Sequence, residues 1–209
     1  MPPLSTDYQT WLAKLLAECD DDAVDYMDRR EVNRWATRFN HEIASIVATA
    51  GEEATSKAAS LLYGCPGQIY YGVLDPALGP LRAEFMQSVK SLYENCFLPY
   101  CSKYYSHLDC GPEPERPFNG ICYMLWDLEL DGHAINGDLE MLEQSLDVLS
   151  FALSLDSTAC QESALHGLGH LAFKHFNRAT PIVERYLERE DLSPEMYAYA
   201  HAARIGYVL

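Results

Sequence analysis

The stretch CQESALHGLGHLAFKH, residues 160 to 175, separates into two sides when wound at the α-helical step of about 100° per residue. Cys160, Leu171, Ala164, Leu168, Ala172 and Leu165 fill one arc of about 140° and predict a core-facing stripe. His175 falls in that arc near its C-terminal end, where a satisfied, partly buried histidine or a partner for the helix dipole is expected. Glu162, His166 and His170 gather on the opposite side. They are expected to meet solvent, a second helix or a groove. Glu162 precedes His166 by one turn, a spacing that favours an ionic contact. Gly167 and Gly169 flank the histidines, and each costs about 0.8–1 kcal/mol relative to alanine inside a helix. A close approach by another backbone would offset that cost.

Elsewhere long β-branched or strictly alternating runs are scarce, so no sheet is predicted. Helices are predicted near 6–18, 23–49, 52–63, 76–104, 119–130, 138–154, 158–176, 181–189 and 194–206. Asp75-Pro76, Thr180-Pro181 and Ser193-Pro194 each put a capping side chain before a proline at the first helical position. Asp138 can cap the helix that follows it, and Thr158 with Gln161 can form a capping box. Residues 64–75 are ambiguous, with local extended structure possible. Residues 105–118, YSHLDCGPEPERPF, hold three prolines and a glycine and are read as a loop.

The last four helix starts fall near 138, 158, 181 and 194, so that alternate starts are about 43 and 36 residues apart, in the range of stacked helix pairs. The fold class expected is all-α, with antiparallel helix pairs stacked as a short HEAT-like array, or an irregular helical bundle. The 209 residues suffice for one such domain, 1–209.

Charge adds a direction to this picture. The net charge is −16, and residues 101–150 alone carry ten acidic and two basic side chains. Such a surface repels nucleic acid and anionic membranes and attracts basic proteins. No apolar run approaches membrane-spanning length, and the start, MPPLSTDYQTW, lacks the basic and apolar regions of a secretory signal. Seven scattered cysteines read as reduced thiols, which points to the cytoplasm.

Three patterns suggest bound metal. Two histidines four apart can share one ion, but Glu162 and His170 lie about 12 Å apart along the axis. A zinc or iron site would therefore need the adjacent pair plus a ligand from another helix. The H-E-x-x-H spacing is absent. Residues 127–138, DLELDGHAINGD, partly mimic a calcium loop through Asp127, Glu129, Asp131, Gly132 and Asp138. Glutamate at position 3, Ile135 at position 9 and aspartate at position 12 weaken the match. Cys96, Cys101, His107 and Cys110 lie close in sequence without a C-x-x-C knuckle.

The ALHGLGH helix, with YMLWD upstream and SPEMYAYAHAARIGYVL downstream, resembles a pattern in uncharacterised bacterial helical proteins, and the C-terminal segment resembles HEAT-like helices. The resemblance covers roughly residues 119–209. It implies an α-helical bacterial cytosolic protein and carries no activity, catalytic residue or cofactor.

The expected function is binding without catalysis, most simply an immunity-type inhibitor that occludes a basic bacterial toxin by charge-steered association. The expected partner-binding residues are Asp109, Glu113, Glu115, Asp127, Glu129 and Asp131, with Glu162, His166 and His170. Asp20, Asp21 and Asp22 form a second acidic stretch. No catalytic residue, resident metal or cofactor is assigned. The alternatives are a metal-dependent enzyme on the Glu162/His166/His170 face and a helical-repeat adapter that binds a peptide or protein.

Overall fold

A computed structural model describes residues 7–17, 28–64 and 72–208, with only the backbone at 128 and 129. Among these residues the fold is all-α, and the only extended pairing is an isolated bridge between Tyr105 and Cys110. The helices are α1 (Tyr8–Leu16), α2 (Arg29–Ala50), α3 (Glu52–Tyr63), α4 (Pro80–Leu92), α5 (Leu98–Tyr100), α6 (Asn119–Met124), α7 (Gly132–Ile135), α8 (Leu139–Ser154), α9 (Thr158–Leu187) and α10 (Pro194–Arg204). The Asp20–Asp22 stretch, Cys19 and Cys65 lie outside the described residues.

The long helices pack in a chain of neighbours: α2 on α4, α4 on α8, α8 on α9 and α9 on α10. Helix α3 rests on α1 and α2, and α6 rests on α9. Periodic apolar positions explain the contacts. On α2, Val32, Ala36, Phe39, Ile43 and Val47 recur every three or four residues and are all buried. Phe85, Met86, Val89 and Leu92 form the matching buried stripe on α4. Each large side chain removed from water in this way contributes about 1.5–3 kcal/mol.

Two polar networks inside the core are matched across elements. Asn40 donates to Ser88 Oγ on α4 at 2.9 Å and accepts from the Tyr63 hydroxyl on α3 at 2.6 Å. Trp126 donates to the Tyr93 hydroxyl at 2.8 Å, and that hydroxyl lies 2.7 Å from Ser163 Oγ on α9. These bonds link helices that are far apart in sequence and set their relative rotation.

Caps decide several boundaries. Asp138 accepts from the Met141 amide at 3.1 Å and Ser193 from the Met196 amide at 3.2 Å, as expected. Thr158 does not form the expected capping box: Ser157 is the cap, and Gln161 turns to the Leu155 carbonyl and the Tyr186 hydroxyl. Thr180 does not start a helix either. The backbone stays helical through Pro181, the interruption falls at His175, and Thr180 Oγ1 donates to the Arg204 carbonyl. The single helix expected over 76–104 is divided. Residues Pro76–Leu78 form a short turn capped by Asp75, Gly79 takes a positive φ, and α4 runs into a widened π-type turn at Tyr93–Phe97. Among the described residues no helix is long and apolar enough to cross a membrane.

Candidate functional site

Eleven consecutive residues of α9, from Ala159 to Gly169, are buried. The side opposite the apolar stripe therefore meets a second layer of protein. Gly167 allows this. A Cβ there would lie 2.6 Å from Trp126 Cγ and 2.7 Å from a Leu149 methyl, so only hydrogen fits. At Gly169 a Cβ would lie 2.6 Å from both Val208 methyls. The close approach expected at the glycines thus comes from side chains. The backbone that does come near belongs to Gly206, whose own Cβ would lie 3.3 Å from the Gly169 carbonyl oxygen.

Seated this way, α9 faces the widened turn Trp126–Leu130 and the short helix α7. Such π-type turns recur at functional positions. Asp127 and Asp131, four apart, meet His166 and His170, also four apart. Asp127 Oδ1 lies 3.1 Å from Nε2 of His166 and 3.1 Å from Nε2 of His170. The outer ring nitrogens are held as well: His170 Nδ1 is 3.0 Å from Asp131 Oδ2, and His166 Nδ1 is 2.6 Å from the Tyr199 hydroxyl on α10. Tyr199 continues to the Tyr123 hydroxyl at 3.3 Å, and the Tyr123 ring centre is 4.6 Å from that of His166.

Electrostatics follows from these contacts. Burial alone would push the His170 imidazole down, but hydrogen bonds to Asp127 and Asp131 outweigh it and raise it to about 9. Both its nitrogens face carboxylates, which only accept, so both carry hydrogen. Burial would raise the Asp127 carboxyl, yet the two histidines hold it well below the usual carboxylate range. Burial, reinforced by the Tyr123 hydroxyl, pushes the Tyr199 phenol far up.

Glu162 points away from this group. Its carboxylate has no exposure and accepts from the amides of Ser106 at 3.1 Å and His107 at 2.9 Å, as well as pairing with His107 Nδ1. The expected Glu162–His166 contact is replaced by this one. His107 in turn stacks on Tyr199 with ring centres 4.0 Å apart. Glu162 thus clamps the loop 105–118 to α9, and further ties reinforce it. Tyr105 pairs with Cys110 and donates to Ser193 Oγ, Asn119 Oδ1 accepts from the Ser102 and Arg116 amides, and Arg116 grips Glu52 at 2.6 and 2.7 Å. The proline-rich segment is held at both ends and in the middle.

The expected binding residues therefore divide. Asp109, Glu113 and Glu115 are exposed on the clamped loop. Asp131, Glu162 and His166 are buried, at 4%, 0% and 0% exposure, which removes them from any partner-facing surface. Asp127 and His170 keep a partly exposed edge but are engaged with each other. The Glu129 side chain lies outside the described residues. The calcium-loop reading is overturned, because Asp127 and Asp131 turn to histidines while Asp138 caps α8 and pairs with Arg82. Cys96 is buried in the core and His107 is taken by Glu162, so the cysteine-histidine set does not converge. Among the described residues, the group with metal-ligating geometry is Asp127, His166 and His170, whose ligand atoms all lie within 4.8 Å.

His107, Tyr123 and Tyr199 were not singled out as parts of this network by sequence. A cleft of about 440 Å³ lies across the loop, lined by Lys103, Tyr105, Gln161, Arg189 and Ser193 among others. None of Asp127, His166 or His170 lines it. No family model matches the chain, and no curated protein or solved structure matches it either. The resemblance over 119–209 accordingly stands on its motif alone.

Proposed function

We propose that the chain is a non-catalytic binding protein that docks a basic protein partner on the loop 105–118, in the manner of an immunity-type inhibitor of a basic bacterial toxin. The observation that carries this reading is the Glu162 clamp. It fixes the shape of a segment that presents Asp109, Glu113 and Glu115, with Leu108 48% exposed at its tip. A rigid acidic loop with an apolar tip loses little conformational freedom on docking, and its field raises the encounter rate with a positive surface. Asp109 adopts φ 52°, a left-handed conformation that aspartate tolerates, and its carboxylate accepts from Tyr104 at 2.6 Å. The net charge of −16 disfavours nucleic acid and anionic membranes as partners.

The test is co-expression with the product of the gene adjoining this one. The expected result is a complex with a basic protein. Its association should slow at least about tenfold between low and high salt, and likewise in the triple variant Asp109→Lys, Glu113→Lys, Glu115→Lys. An association rate indifferent to both changes removes the electrostatic mechanism.

A further inference from the structure

Two histidines both aim Nε2 at one carboxylate oxygen, an arrangement that needs no protein partner. We propose that Asp127, His166 and His170 hold one first-row divalent transition ion of the zinc class, through Asp127 Oδ1 and the two Nε2 atoms.

The geometry suits coordination. Each Nε2 is 3.1 Å from the same oxygen, and all three donor atoms lie within 4.8 Å. With ligand bonds of about 2.0–2.1 Å, an oxygen–nitrogen edge of that length subtends about 95–100° at the ion, between octahedral and tetrahedral values. The donors come from two elements: a helix supplies an i, i+4 pair, and the widened turn Trp126–Leu130 supplies the third. The turn is anchored beside Asp127 by the buried Trp126, which is bonded to Tyr93.

The outer contacts point the same way. A metal-bound histidine presents one nitrogen to the ion and gives the other N–H to a carboxylate or another oxygen acceptor. His170 has Asp131 in that place at 3.0 Å, and His166 has the Tyr199 hydroxyl at 2.6 Å. Both rings are thereby oriented with Nε2 inward, and a bound ion would take the place of the hydrogen on each Nε2, with that proton released to solvent. Two imidazoles and one carboxylate favour zinc or iron(II) over calcium and magnesium, which take oxygen ligands. His166 is wholly buried, whereas the side chains of His170 and Asp127 are 22% and 28% exposed. The remaining coordination position therefore opens toward solvent and would take water or a small ligand.

The experiment uses the full chain, stripped with chelator and dialysed. Zinc is titrated calorimetrically, and cobalt(II) is followed by visible absorption as a report on ligand geometry. The expected result is one ion per chain with the d–d bands of a low-coordinate nitrogen–oxygen site. Asp127→Asn and His170→Gln, both at partly exposed positions, should each weaken zinc at least 100-fold while far-UV circular dichroism stays unchanged. Asp131→Asn should cost about 10–100-fold through the outer contact. Cys110→Ser, which alters the exposed thiol, should change nothing. The proposal is overturned if no saturable binding appears below about 100 μM zinc, a free energy of only ~5.5 kcal/mol. It is equally overturned if binding persists undiminished in Asp127→Asn and His170→Gln. The cluster would then be a hydrogen-bonded contact between α9 and its neighbours and nothing more.

Discussion

Single residues on α9 divide their work by direction. Glu162 looks toward the loop, His166 and His170 look toward the turn at Trp126–Leu130, and Gly167 leaves room for Trp126 at the head of that turn. The Glu162 carboxylate receives two backbone amides and a ring nitrogen with no water available to replace them. Glu162→Gln keeps one acceptor oxygen and is expected to cost about 1–3 kcal/mol in urea denaturation. Hydrogen exchange at the Ser106 and His107 amides should quicken more than at amides of α2. Unchanged exchange at those two positions would contradict the clamp. Part of this site was legible in the sequence. Helical angle alone separated Glu162, His166 and His170 from the core stripe, and the length of the helix showed that a metal would need an outside ligand. The equal spacing of Asp127–Asp131 and His166–His170 was the available sign of their pairing. No sequence sign linked Glu162 to the loop, because its partners are mainly backbone amides, which every residue carries.

At the level of elements, caps and glycines were read with unequal success, for physical reasons. Asp138 and Ser193 cap as expected because their other partners leave the cap in place: Asp138 receives Arg82 as well as the Met141 amide, and Ser193 Oγ receives Tyr105 as well as the Met196 amide. Thr158 loses to Ser157, which sits one residue earlier, and Gln161 is drawn to Tyr186 by burial. Pro181 did not open a helix, because the bend had already been taken at His175, whose Nε2 donates to the Ala134 carbonyl at 2.8 Å. The two glycines of α9 should respond differently to alanine. Gly167→Ala drives a methyl into Trp126 and Leu149, both in the core, and is expected to cost about 1–3 kcal/mol despite the gain in helix propensity. Gly169→Ala meets the Val208 side chain first, so Val208→Ala should relieve it. Thermal melts of the two single variants and of the double variant Gly169→Ala, Val208→Ala decide this. A double variant no more stable than Gly169→Ala would place the obstruction elsewhere.

For the whole molecule, part of the acidity is tied up in ion pairs between helices. Arg82, with a side chain 7% exposed, joins α4 to the start of α8 through Asp138 and Glu140, and Lys90 reaches Asp147 at 2.7 Å. The carboxyls of Asp138 and Asp147 are lowered, chiefly by these cations. The folded protein therefore binds fewer protons there than the unfolded chain does. The resulting stability is fully present above the unfolded value of about 3.9 and is lost as pH falls through the lowered folded values. Arg82→Met should cost about 1–2 kcal/mol at neutral pH, a figure reduced for the partial exposure of its partners, and the gap from wild type should narrow below about pH 3. Denaturant unfolding of both proteins at the two pH values measures it, and a gap that does not narrow would detach the effect from Asp138. The all-α class was legible because periodicity and capping are local. The order in which helices pack was not, since it depends on contacts such as Asn40 with Ser88 that join distant parts of the chain.

The bond between the His107 amide and Glu162 spans 55 positions, and this has a consequence for synthesis. A ribosome releases residues 105–118 well before it has made their anchor, at about 5–20 residues per second. For those seconds the segment has its ties to Glu52 and Asn119 but not the carboxylate that holds Ser106 and His107. Its final contour is an end product of translation, acquired only when the helix bearing Glu162 has emerged and coiled.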